Sequence, residues 1–455
     1  MTLRQQLALT AKLSVPAIMA QLATLVMQYI DASMVGRLGA DDSASIGLMN
    51  SSLWLFWGIC SNVTTGFAVQ TAHQLGAKRP ERARRVLRQS IVGCLLFSVV
   101  VTLIGLAISG RLPVWLGGEE RICHNASLYF AVFVAALPML TMNYLGSAML
   151  RCSGNMKVPA LFNAGMCVAD VVLNFLLIFP TREISLWGTQ LTVPGAGLGV
   201  LGAALGTVGA ECLCAVGVIT YLCFREKVLD IWKRKGEDSY RPQREVTKKA
   251  ARISGPMVFE HLVFCGAQIM VTAIVAPLGV VAIAANAFAV TAESLCYMPG
   301  FGIGEAATTL VGQCYGAKRF GLLKRFGYLT VWTGITVMTV MAVLMYVAAP
   351  LMMELLTPVA AIRELGTEVL RIEAWAEPMY AASIVSYGVF VGVGHTLLPA
   401  AMNFGSIWLV RIPLAALMAP TMGLRGVWIA MCIELLFRGI IFLARLYFGR
   451  WLKQK

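Results

Sequence analysis

The sequence predicts an all-α polytopic membrane protein, with twelve transmembrane helices arranged as two pseudo-symmetric six-helix lobes that are parallel repeats of one another. Three observations predict it. The 455-residue chain is 58% hydrophobic and only 13% charged, with a mean hydropathy of +0.74, where a soluble domain carries about 25% charged residues. Its basic residues are concentrated in alternate connections. Its second half repeats the first at a constant spacing.

Apolar runs bounded by charge and turn residues place the spans. The first begins near Leu13 and carries Asp31 close to its end. It is longer than a signal-peptide core and a second long run follows directly, so it reads as a retained span. In order, the first-half spans fall at residues 13–36, 45–75, 90–110, 125–150, 159–180 and 198–224. The second half gives 252–276, 281–313, 328–351, 365–393, 397–419 and 423–446. About twenty apolar residues suffice to cross a bilayer, so the longer runs imply tilt, kinks or extension beyond it. The one long polar connection is "REKVLDIWKRKGEDSYRPQREVTKK", Arg225 to Lys249. It divides the chain into an N-terminal six-helix lobe (1–224), a basic cytoplasmic linker (225–250) and a C-terminal six-helix lobe (251–455).

About 29 of the 37 Lys and Arg residues lie in the even-numbered connections, the two tails and the last span, the bias that marks cytoplasmic segments. Both termini are therefore expected in the cytoplasm. Topology accounts for the net charge of +14 without a nucleic-acid partner. The 12 cysteines are scattered singly through apolar segments, without zinc-ligand or redox spacing, and read as small packing residues. The four histidines do not cluster. No Walker A loop, HExxH or GxSxG occurs, which argues against ATP-driven transport, hydrolysis and any enzyme activity. The expected partners are the lipid bilayer and a small-molecule substrate, with the chain acting as a monomer and without a cofactor.

The repeat has a spacing of 240 residues. "SVPAI" at Ser14–Ile18 matches "SGPMV" at Ser254–Val258, and "GAKR" at Gly76–Arg79 recurs at Gly316–Arg319. The same shift pairs Arg85 with Arg325, Pro138-Met139 with Pro378-Met379, Gly154 with Gly394, and Asn163 with Asn403. Six spans per copy is an even number, so both copies share one orientation, an arrangement found in secondary transporters, whose sites lie near mid-membrane.

Charged side chains are costly inside a bilayer, about 2.5–3.5 kcal/mol on insertion scales, and each one there is a candidate site. Asp31 follows Gln28 by three residues on span 1. It either ends the helix at the water interface or faces a cavity and exchanges an ion. Asp170 and Asn174 stand one turn apart on span 5, with Asn163 two turns earlier on nearly the same face. Such a stripe can glue two helices together or coordinate a cation or proton. Glu260 follows Pro256 by four residues on span 7, next to the bend a proline introduces. Glu373 and Glu377 are four apart before Pro378 on span 10, where two like charges favour a protonated member. Glu211, Glu293, Glu305 and Glu434 are weaker candidates. Gln28, Tyr29, Glu260, Glu373 and Trp57 are taken as substrate contacts. Trp57, from "WLFWG", equally fits an interfacial belt.

These stretches resemble the multidrug and toxic compound extrusion (MATE) family over nearly the whole chain. The resemblance is carried by "DASMVGRLGA", "QLGAKRPERARR", "LRCSGNMKVPA", "GLGVLGAALGT", "LVGQCYGAKR", "RIPL" and "GLRGVWIA", in that order. It implies two six-helix lobes about a central cleft and export of amphipathic organic cations in exchange for H⁺ or Na⁺. The family's helix-1 acid then falls on Asp31 and its bending proline on Pro16. The helix-7 glutamate of NorM-like members falls on Glu260, and the helix-10 acid on Glu377 or Glu373. Many members carry Asn then Asp four residues apart on helix 5. Here the order is Asp170 then Asn174, which keeps one face but exchanges the two depths.

The expected function is therefore secondary active efflux by alternating access. The coupling residues are Asp31, Asp170, Asn174, Asn163, Glu260 and Glu377, with Na⁺ a candidate at Asp31/Asp170 or at Glu260, and Pro16 and Pro256 as hinges. The resemblance places the protein in the plasma (inner) membrane. The rival readings are a flippase for a lipid-linked or polar metabolite, for which there are few intramembrane bases beyond Arg411 and Arg438, and a lipid-modifying enzyme.

Overall fold

The computed structural model describes residues 2–186, 189–231, 243–449 and 451. The middle of the expected linker, residues 232–242, lies outside them. The first half contains α1 (Leu3–Gly36), α2 (Ala40–Gly76), α3 (Pro80–Ser109), α4 (Leu112–Trp115), α5 (Glu120–Ala135), α6 (Leu137–Cys152), α7 (Lys157–Ile178) and α8 (Gly199–Phe224). The second half contains α9 (Arg244–Val275), α10 (Val280–Gly316), α11 (Phe320–Leu356), α12 (Ala360–Glu373), α13 (Glu377–Val393), α14 (Leu397–Ser406), α15 (Ile412–Met422) and α16 (Leu424–Phe448). Pro16 and Pro256 sit inside α1 and α9, which run through them without a break.

Nine of these helices among the described residues are long and apolar enough to cross a membrane, counting α9 with its 3₁₀ end and α14–α15 as single spans. The α5–α6 pair, bent by 46°, adds a tenth. The last two of the twelve expected spans are α2 and the α12–α13 pair. The first opens with Asp41 and Asp42, and the second carries Arg371, Glu373 and Glu377 around its break. α12 and α13 are each short, 14 and 17 residues, on either side of that break. Both breaks fall just before a proline, Pro138 and Pro378, which lacks an N–H and clashes with the carbonyl four residues back. The repeat thus copies a helix break as well as a sequence. It also copies backbone conformation: Lys78 and Lys318 each have φ 57°, a left-handed value that few non-glycine residues adopt.

The α7–α8 connection forms an antiparallel hairpin of β1 (Pro180–Leu186) and β2 (Thr189–Ala196), paired from Pro180↔Ala196 to Leu186↔Thr189. The alternation in "TREISL" and "TQLTV" carries the signal.

The helices fall into two compact units. One comprises residues 23–71 and 80–251; the other comprises 1–22, 72–79 and 252–455. The starts of both α1 and the last turns of α2 thus belong with the second half of the chain. Glycines explain why. A Cβ at Gly302 would stand 2.8 Å from the Ile18 backbone nitrogen, and one at Gly76 or Gly316 would overlap the Gln313 or His73 carbonyl respectively. Only bare backbone permits helices that close. The core of the first-named unit gathers Met49, Leu53, Phe130, Phe133 and Leu137. That of the second gathers Ala289, Cys296, Met345, Val369, Leu370 and Trp428.

Candidate functional site

Each unit contains an acid held by an asparagine. In the first, Asp170 and Asn174 lie on the buried face of α7, with 0% and 1% of their surface exposed. Asn174 Nδ2 donates to Asp31 Oδ1 of α1 at 2.9 Å and to Asp170 Oδ2 at 3.1 Å, with Thr207 Oγ1 of α8 at 3.4 Å. One amide therefore ties two carboxylates from different helices. Gly206, one residue before Thr207, makes the room, since a Cβ there would overlap Asn174 Oδ1. Asp170 Oδ1 and Asn174 Oδ1 are buried without a hydrogen-bond partner. Asn163 lies outside this group and donates to Thr24 Oγ1 at 2.9 Å.

In the second unit Glu260 of α9 accepts from Tyr387 Oη of α13 and from Asn403 Nδ2 of α14, each at 2.5 Å. Asn403 Oδ1 is likewise buried without a partner. Asn403 is the repeat mate of Asn163, yet it performs the task of Asn174. The acid positions are not repeat mates either: the counterpart of Glu260 is Ala20, so Asp31 lies eleven residues further along its helix, about 16 Å at 1.5 Å per residue. The scaffold is duplicated while the charges sit at different depths.

Glu373 and Glu377 do not join Glu260. Both are 0% exposed, beside the 6%-exposed Glu293 of α10. All four oxygens of Glu373 and Glu377 lack hydrogen-bond partners. Nearby, Arg411 binds Glu434 Oε2 through Nε at 3.0 Å and Nη2 at 2.7 Å, and Arg438 grips both Glu434 oxygens at 2.7 and 2.8 Å. Ser406 Oγ adds a 2.5 Å hydrogen bond to Oε1. A π-helical turn, Ile407–Arg411, joins α14 to α15 and carries Arg411 into this group. Among the weaker candidates, Glu211 accepts from Asn143 Nδ2 at 2.7 Å and Glu305 from Gln21 Nε2 at 3.5 Å.

Of the expected substrate contacts, Gln28 is exposed, Tyr29 and Trp57 are half-buried, and Glu373 is enclosed. Trp57 packs edge-on against Phe133, centroids 5.6 Å apart, and its buried Nε1 has no partner. Among the described residues no group of three His, Cys, Asp or Glu side chains is placed to hold a metal ion. Thr207, Tyr387 and Asn403 escaped the search for charges because they are neutral. Only Asn403 carried a signal, its place in the repeat.

Duplicated helix bundles with acids buried in a membrane interior define a transporter of the repeat class. The chain belongs to the MatE family, the multidrug and toxic compound extrusion transporters: the family model matches residues 16–176 and again 256–417, 240 residues on. It is a membrane transporter and not an enzyme. It is 24% identical to the probable multidrug resistance protein NorM of Thermotoga maritima, over 97% of this chain and 92% of that one. It is 22% identical to the probable multidrug resistance protein YoeA of Bacillus subtilis, over 91% and 88%. The fold matches an outward-facing multidrug resistance MATE family transporter of the MOP superfamily, with TM-score 0.89, 20% identity and coverage of 99% and 97%. It also matches the Vibrio cholerae MATE transporter VcmN, with TM-score 0.87, 17% identity and coverage of 97% and 96%.

Proposed function

We propose that this protein exports small amphipathic organic cations in exchange for H⁺ or Na⁺. The observation that carries the reading is the pairing of Asp31 and Asp170 through one asparagine amide, with Asp170 Oδ1 and Asn174 Oδ1 left as buried acceptors. Two carboxylates and an amide oxygen form a donor set for one small cation or one shared proton. Buried acceptors are costly when unsatisfied, so the group gains by binding a cation when it faces the outside and releases it where the ion is scarce. A cationic substrate competes for the same negative charge, or favours the opposite conformation, and either gives exchange. Glu260, with Tyr387 and Asn403, is the corresponding group of the second unit. Pro16 and Pro256 are the places where α1 and α9 can bend.

The charge bias of the connections supports cytoplasmic termini, and the family supports a plasma (inner) membrane location. Action as a monomer, without cofactor or nucleic acid, belongs to the same reading. The flippase alternative needs free bases for a phosphate head group, and Arg411 and Arg438 are both committed to Glu434. The test is purified protein in liposomes, with a pH or a Na⁺ gradient imposed separately and a fluorescent organic cation followed. Transport driven by one gradient and lost in Asp31→Asn is expected. Cation transport under neither gradient would overturn the reading.

A further inference from the structure

The basic end of the second unit carries an aromatic cluster that the repeat does not copy. Tyr328 of α11 and Tyr447 of α16 stack with centroids 4.7 Å apart and planes 8° from parallel. Trp332, one turn along α11 from Tyr328, donates its indole N–H to Tyr447 Oη at 2.7 Å. The repeat mates of Tyr328 and Trp332 are Arg88 and Val92, so the duplicated scaffold does not require these rings. Trp332 and Tyr447 stay 55% and 42% exposed, so the cluster is not core packing. It closes one end of a groove. α13 packs against both α11 and α16 and is buried or half-buried along its whole length, so it forms the floor. The walls are exposed stripes at helical spacing: Thr336, Thr339 and Val343 beyond Trp332 on α11, and Ile433, Phe437 and Ile440 leading to Tyr447 on α16. Both threonine hydroxyls donate to carbonyls of their own helix, which leaves apolar surface for a lipid chain.

We propose that this groove binds one anionic phospholipid of the bilayer, with its phosphate at Lys324, Arg325 and the Tyr447 hydroxyl and an acyl chain along α13. Lys324 and Arg325 are exposed. They precede Tyr328 by four and three residues, the spacing that puts side chains on one helix face. Tyr447 Oη accepts from Trp332 and keeps its own proton to donate. The charge at this end is uniformly positive, since no Asp or Glu occurs between Glu305 and Glu354 or after Glu434. Basic pockets between spans at a membrane surface take anionic head groups. Aromatic residues are common at bilayer interfaces, but a belt position needs neither a stacked partner on another helix nor a hydrogen bond to it. Here both hold α11 and α16 together at the point where the groove meets the charge. Free phosphate satisfies the bases but leaves the apolar walls unused, so the lipid is the occupant that fits both parts.

The site does not depend on what the protein exports, so the test reads lipid and not transport. Full-length protein is placed in nanodiscs of phosphatidylcholine with a minority of chain-brominated phosphatidylglycerol, and in the reverse mixture with brominated phosphatidylcholine as the minority. Bromine quenches nearby indoles, and the Trp332 signal is the difference between wild type and Trp332→Phe. Phosphatidylglycerol is expected to quench it with a preference of about tenfold or more, the scale that two basic side chains give at a membrane surface. Lys324→Gln combined with Arg325→Gln should bring the two lipids to equal quenching. Tyr447→Phe keeps the stacked ring, loses the hydroxyl and should reduce the preference several-fold. Lys318→Asn with Arg319→Gln removes the same charge from the preceding turn and should leave the preference intact; asparagine tolerates the left-handed backbone of Lys318. Equal quenching by the two lipids in wild type overturns the proposal, and that comparison needs no variant at the bases. A loss in the Lys318/Arg319 variant as large as in the Lys324/Arg325 variant also overturns it, because diffuse surface charge then accounts for the preference. So does displacement of the lipid by inorganic phosphate at constant ionic strength, which would make this a site for free phosphate.

Discussion

Asn403 donates its side-chain amide to the Glu260 carboxylate over 2.5 Å. The partner lies 143 residues earlier, the same separation that joins Asn174 to Asp31. In both contacts the amide nitrogen serves the acid and the amide oxygen is left buried and unpartnered. The two units have thus reached one local design at positions the repeat does not align.

Glu260→Gln preserves shape and removes the charge, and export of an organic cation should fall to background. Tyr387→Phe keeps the charge but deletes one hydrogen bond to it, about 1.5–3 kcal/mol. The coupling-ion concentration needed for half-maximal export should change roughly tenfold, with the maximal rate preserved. Export from proteoliposomes at varied ion concentration measures both. Wild-type export by Glu260→Gln would remove this acid from the mechanism.

Gly206→Ala should disable the other group without touching an acid. The added Cβ overlaps Asn174 Oδ1, so the amide that joins Asp31 to Asp170 must move. Export is expected to drop to the level of Asn174→Leu, with expression close to wild type. Gly165 on α7 has open space at its Cβ position and supplies the control. Gly165→Ala should leave export unchanged and stabilise by about 1 kcal/mol through helix propensity.

Gly76→Val and Gly316→Val should each destabilise the protein. Their side chains would overlap the Gln313 and His73 carbonyls, and backbone cannot rotate away as a side chain can. Overpacking of this kind costs about 1–3 kcal/mol. The midpoint of thermal unfolding in detergent should fall in both variants. An unchanged midpoint in either would mean that the crossing of α2 and α10 yields more easily than its geometry implies.

Glu434→Ala should be the most damaging single change in the second unit. It strands two buried guanidinium groups, and breaking a buried ion pair from one side costs about 3–5 kcal/mol. Thermal unfolding and recovery after purification report the loss. The same substitution in a background of Arg411→Met and Arg438→Leu should recover much of it, because no charge is then left unpaired.

The sequence by itself determined the membrane class, the twelve spans, the duplication at 240 residues and the acids worth suspecting. Each of those rests on a local signal: a run of apolar residues long enough to cross a bilayer, or a charge expensive enough to notice. Which acids meet was decided only by the tertiary structure. Glu373 and Glu260 look alike in sequence, yet one is enclosed with Glu293 while the other is held by Tyr387 and Asn403. Glu434, one of the weaker candidates in sequence, anchors both Arg411 and Arg438. Neutral partners such as Thr207 and Tyr387 carry no cost that marks them in advance. Helix rotation and crossing decide what a buried charge faces, and glycines at Gly206, Gly76 and Gly316 set how closely helices cross. That information is distributed over contacts far apart in the chain, so no single stretch of sequence contains it.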